Sequence, residues 1–135
     1  MVVIVCVDKK NGMLFNNRRQ SQDRALRARI LTLTAQSKLR MNEYSAKQFK
    51  EPLPSHVVVG EDFLSLAGPN DFCFVENTDL TPYESKVERL ILYHWNREYP
   101  ADTFFSLDLS RFSLQRTREF SGSSHETIIE EVYTR

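Results

Sequence analysis

Met1-Val2-Val3-Ile4-Val5-Cys6-Val7, running directly into Asp8-Lys9-Lys10-Asn11-Gly12, decides the class of fold. An unbroken apolar run of strand length has no polar face to offer water, so it belongs in a sheet covered on both sides. It falls well short of the ~18 apolar residues of a membrane span. No basic residue precedes it, and charges with an Asn-Gly turn end it, unlike the start of a secretory signal. A central strand of this kind implies a layered α/β domain.

The chain has 135 residues, enough for one domain spanning 1–135. Hydrophobic residues at 41% and charged residues at 27% describe a globular chain rather than a disordered one. Eighteen Lys/Arg cancel eighteen Asp/Glu, which excludes a dedicated DNA-coating protein. The cancellation hides an asymmetry: residues 1–50 hold 11 basic and 3 acidic side chains, residues 51–135 hold 7 and 15. Cys6 and Cys73 each sit in apolar runs and read as core thiols, and a reducing cytoplasm is the expected location. His56, His94 and His125 lack any paired-ligand spacing, so no metal is expected.

Downstream of the first run, Leu26, Ile30 and Leu33 recur at helical spacing, which predicts a helix over Ser21–Thr34 with Ser21 as N-cap and Asp23 in its first turn. Lys38–Met41 reads as a short strand, with a short helix near Ser45–Phe49. Pro52 and Pro54 mark a loop before the strand Val57–Val59. A helix over Asp62–Ala67 stops at Gly68-Pro69, and Phe72–Val75 and Leu90–Trp95 are further strands. Phe112–Tyr133 alternates as two strands joined around Ser121-Gly122-Ser123-Ser124, an antiparallel C-terminal hairpin. In that turn, Ser123-Ser124-His125-Glu126 holds the side-chain types of a nucleophile, a base and an acid, but neighbours in one turn diverge.

Several strings resemble the dihydrofolate reductase family. LILYHWNREYPADTFFSLDLSRFSLQRTREFSG, residues 90–122, is similar to the last third of those enzymes, with Tyr93-His94 and Asp102-Thr103-Phe104-Phe105 at motif positions. Asn11-Gly12-Met13, RMNEYSAKQF (40–49) and EPLPSHVVV (51–59) resemble other family motifs, and Asp23 stands near the place of the catalytic acid. The resemblance covers most of the chain through short, partly broken motifs. It implies a three-layer mixed sheet flanked by helices, and a stretch missing after Val59 where the family cradles the adenosine of its cofactor.

The same resemblance implies a dismantled cofactor cleft. Dinucleotide phosphates are held by basic side chains and by close glycine backbones. Here the Gly-Arg expected after Met41 reads Asn42-Glu43, the Gly-Gly expected after Val75 reads Glu76-Asn77, and the strand end Gly60 is followed by Glu61-Asp62. Each lost charge-assisted contact costs about 1.5–3 kcal/mol. No cofactor is therefore expected. Asp23 retains the family's acid only if the chain is a reductase, and His56 stands where an Arg would hold a folate carboxylate but reads as an exposed loop residue.

FNNRRQSQDRALRAR, residues 15–29, is the most distinctive string. Asn16, Asn17, Arg18, Arg19, Gln20, Gln22, Arg24 and Arg27 combine positive charge with many hydrogen-bond donors, suited to carboxylate, phosphate or nucleic-acid recognition. By the resemblance this segment is a loop over the cleft and the first turns of the helix. Phe104, Phe105, Phe112 and Phe120 read as packing residues. The expectation is a small non-catalytic relative, silent in the reductase reaction, that binds a protein or nucleoprotein partner, possibly as an inhibitor. The alternatives are an RNA- or DNA-associated binding or nuclease role through residues 15–29, and a divergent NADPH-dependent reductase of a pterin-like substrate. No membrane association is expected.

Overall fold

The computed structural model describes all residues, 1–135. Strand β1 (Val2–Val7) lies at the centre of a seven-stranded mixed sheet and is buried along nearly its whole length, as its apolar run requires. The remaining strands of that sheet are β4 (Leu39–Met41), β5 (Val57–Val59), β6 (Phe72–Phe74), β7 (Arg89–His94), β9 (Ser113–Phe120) and β10 (Ile128–Thr134). Their order is β5-β4-β6-β1-β7-β10-β9. β1 pairs in parallel with β6 and β7, and β4 pairs in parallel with β5 and β6. β10 alone runs against its neighbours, completing the expected C-terminal hairpin with β9.

Residue parity along β1 assigns the two faces. Val3, Val5 and Val7 pack with Phe63 and Leu64 of helix α3 (Phe63–Leu66) and with Leu80, Leu90 and Leu92. Val2 and Ile4 pack on the other face with Leu26 and Ile30 of helix α1 (Arg24–Leu33), and with Ile91, Tyr93 and Ile128. Each aliphatic side chain buried here contributes about 1.5–3 kcal/mol of transfer free energy. No helix is long and apolar enough to cross a membrane.

Several expectations need correction. Helix α1 begins at Arg24, and its N-cap is Asp23, whose carboxylate accepts from the Leu26 N–H; Ser21 lies outside it. The short helix α2 spans Glu43–Ala46, earlier than the expected Ser45–Phe49, because Asn42 caps it through the Ser45 N–H. Residues 12–19 form a hairpin, β2 (Gly12–Phe15) and β3 (Arg18–Arg19), rather than an irregular loop. Asn16 and Asn17 form its tip with φ of 51° and 61°, the left-handed pair that a two-residue hairpin demands and that Asn tolerates. With β8 (Thr103–Phe104), this hairpin makes a separate three-stranded sheet. Phe104 lies half-exposed there, whereas Phe112 is buried. His56 is half-buried, with Nε2 3.0 Å from the Thr34 hydroxyl, and is not a free loop residue.

Candidate functional site

The carboxyl ends of the parallel strands gather most of the chain's chemistry. From β1 the chain passes through α1 to β4 on one face, and from β6 it passes to β7 on the other, so a crevice opens beyond β1 and β6. Asp8 follows β1, Asn42 follows β4, Gly60 follows β5, and Val75-Glu76 follow β6. Asp8 is buried and saturated: it accepts from the N–H groups of Lys10, Gly12 and Tyr99 and from the Gln20 amide. Although burial opposes ionisation, these donors hold its carboxyl below the usual range. Asp8 is thus the post that anchors the β2–β3 hairpin to the crevice.

At the crevice floor stands Arg19. Its Nε and Nη2 donate to the two carboxylate oxygens of Glu76 at 3.0 and 3.1 Å, and Nη2 also reaches the Tyr44 carbonyl. The guanidinium lies over the Tyr44 ring, 4.5 Å from its centroid, and Gln48 donates to the same carboxylate. Around this pair, Cys6, Met13, Ser21, Val75 and Trp95 line a small recess of about 10 Å³, and Met13 and Glu76 also border a wider cleft of about 300 Å³ with Asn77, Asp79, Thr103 and Phe104. Cys6 is only partly covered, not fully in the core, yet its thiol is pushed up by burial and by Glu76; burial pushes Cys73 to about 11. Neither is poised as a thiolate.

The acidic residues do not form one patch. Glu43 and Glu61 meet at the ends of β4 and β5, where the Glu43 N–H donates to Glu61 Oε2 at 3.0 Å, and Asp62 follows as the N-cap of α3 without a side-chain capping bond. Glu76 stands apart, neutralised from within by Arg19. The basic and acidic sets therefore do not form two separate surfaces, because Arg19 is spent on Glu76.

The polar segment is divided as well. Asn16, Arg18, Arg19 and Gln20 line an open cleft of about 530 Å³ with Phe15, Tyr99 and Pro100. Arg24 and Arg27 line a second cleft of about 330 Å³ with Ala28, Leu31, Gln48, Phe49 and Lys50. Gln22 accepts from the Arg27 guanidinium, and Asn17 stays at the exposed hairpin tip. Arg29, on the same helix, is spent on the buried Glu130, which it grips through two hydrogen bonds of 2.9 and 3.1 Å while the Tyr93 hydroxyl adds a third.

Asp23 is 2% exposed and lines none of the principal clefts. Besides the Leu26 N–H it accepts from the backbone and hydroxyls of Ser123 and Ser124, and His125 Nδ1 lies 3.0 Å away. Against the cost of burial, these contacts hold its carboxyl far below the usual range, so it has no proton to give near neutral pH. His125 itself is 3% exposed and stacks on Trp95, with ring centroids 4.5 Å apart. Its Nε2 lies 3.1 Å from the Ser21 hydroxyl and 3.0 Å from that of Tyr99. The expected turn is present, yet His125 meets a serine and an acid a hundred residues away rather than its neighbours. No local pattern signals that meeting; the nearest sequence signal is the Ser-Ser-His string beside a glycine.

No protein-family model matches the chain, and no curated protein matches it.

Proposed function

We propose that this chain is a dihydrofolate-reductase-like protein that has given up dinucleotide-dependent reduction and works by binding a protein partner. The observation that carries this reading is the Arg19–Glu76 pair at the ends of β1 and β6, where the guanidinium beside the strand ends is already spent on a carboxylate. Ligands of open α/β sheets bind in that crevice. The phosphates of a dinucleotide laid along the strand ends would meet Glu43, Glu61 and Asp62 rather than cations. Asp23, buried and already ionised, supplies no acid to a pterin ring. The order of elements supports the family reading: an apolar first strand, one amphipathic helix, short strand–helix units and a closing antiparallel hairpin.

What remains exposed is basic and amide-rich. Asn16, Asn17 and Arg18 project at the hairpin, and Arg24 lies at the start of α1. Such a surface, with the acids Glu43, Glu61 and Asp62 at the same end of the sheet, suits a protein partner of matched polarity, steered by charge. Isothermal titration with NADPH tests the reading. No heat of binding is expected up to millimolar cofactor; a low-micromolar Kd would overturn it.

A further inference from the structure

His125 joins side chains from three separate parts of the chain, and the binding role does not use them. The Asp23 carboxylate accepts at Nδ1, 3.0 Å away, which fixes the ring proton there and leaves the Nε2 lone pair facing hydroxyl donors. Ser21 Oγ is one such donor at 3.1 Å. Asp23 and His125 are buried, whereas Ser21 is half-buried. A buried carboxylate orienting an imidazole, whose far nitrogen accepts from a serine, is the arrangement that makes a serine nucleophilic on unrelated folds. Ser21 shares its recess with Arg19 and Gln20, and both of these also line the 530 Å³ cleft, where the rings of Phe15 and Tyr99 offer aromatic walls.

We infer that Ser21, His125 and Asp23 form a hydrolytic triad for small aryl esters bound in that cleft. Ser21 Oγ bonds to the ester carbonyl carbon as its proton passes to His125 Nε2. The bond between the carbonyl carbon and the aryloxy oxygen breaks, and the phenol leaves with that proton. A water, deprotonated by the same nitrogen, then cleaves the acyl–serine ester, releasing the carboxylic acid and returning the proton to Ser21. Asp23 is a positioning residue, holding the tautomer and the ring. Tyr99 Oη, 3.0 Å from Nε2, competes with Ser21 for the single lone pair and restrains the nucleophile. Ser21 borders the same recess as the Arg19–Glu76 pair, but the reaction uses neither of those side chains and needs no partner.

The test is intact-protein mass spectrometry after treatment with a fluorophosphonate, alongside hydrolysis of 4-nitrophenyl acetate. One adduct, mapped to Ser21, is expected, with labelling lost in Ser21→Ala and reduced by ~10²-fold or more in His125→Gln. Tyr99→Phe, which frees Nε2, labels faster than the parent. A downfield imidazole N–H proton resonance is expected in the parent and is lost in Asp23→Asn. An unlabelled parent protein, an adduct that persists in Ser21→Ala, or slower labelling of folded Tyr99→Phe would overturn the proposal.

Discussion

The Arg19 guanidinium lies along the Glu76 carboxylate through two hydrogen bonds, joining the basic hairpin to the acidic end of β6. Both side chains are largely shielded, with 22% and 10% of their surfaces exposed, so each depends on the other to offset lost hydration. Arg19→Met is expected to cost about 1.5–3 kcal/mol in urea unfolding, the worth of hydrogen bonds to a charged group. Arg19→Met/Glu76→Gln recovers part of that loss. Equal and additive losses in the two single variants would show that the pair is not coupled.

Beneath α1 the dependence is stronger. Glu130 has no exposed side-chain surface, and Arg29 is its principal counterion. Arg29→Met strands a buried charge and is expected to destabilise by about 3–5 kcal/mol. Arg24→Met, on the exposed side of the same helix, stays within about 0.5 kcal/mol. Thermal melts of the two variants check the contrast.

Gly122 tests the packing around Asp23. A Cβ there would lie 2.5 Å from Asp23 Oδ2 and 2.8 Å from the His125 carbonyl oxygen. Gly122→Ala should therefore cost about 1–3 kcal/mol through overpacking. Gly60→Ala, whose added carbon meets nothing within 4 Å, serves as the neutral control. Equal melting temperatures for the two variants would show that the contact yields.

Acid should unfold this protein through its carboxylates. Hydrogen bonds and ion pairs hold the folded-state pKa values of Asp8, Asp23 and Glu130 below their ordinary values. The unfolded chain therefore binds protons first, and the stability these groups contribute is fully present above about pH 5. It is lost progressively as the pH falls through 4 toward the depressed folded values. Melting temperature measured from pH 6 to pH 3 should fall steadily, and Glu130→Gln should flatten that fall. A melting temperature that rises on acidification would contradict this assignment.

The central strands and the final hairpin were legible because Val2–Val7 and Leu90–Trp95 are apolar runs and Phe112–Tyr133 alternates, although that alternation matches burial only in β10, β9 being exposed along nearly its whole length. The β2–β3 hairpin was not, although Asn16-Asn17 is a proper turn pair, because its strands of four and two residues are too short for a period to register. Ser21 and Asp23 are both good N-caps by type, and only contact with Ser123, Ser124 and His125 decides for Asp23. The acids expected along a phosphate cleft do lie near the strand ends, but that Glu76 is spent on Arg19 rests on a contact between residues 57 positions apart. Long-range side-chain pairing of this kind leaves no periodic trace in a single sequence.

Crystals grown in millimolar NADPH examine the crevice most directly. Arg19 is expected still seated on Glu76, with no dinucleotide density along the ends of β4, β5 and β6. A cofactor lying there, with Arg19 swung onto its phosphates, would contradict it and restore the chain to the working oxidoreductases.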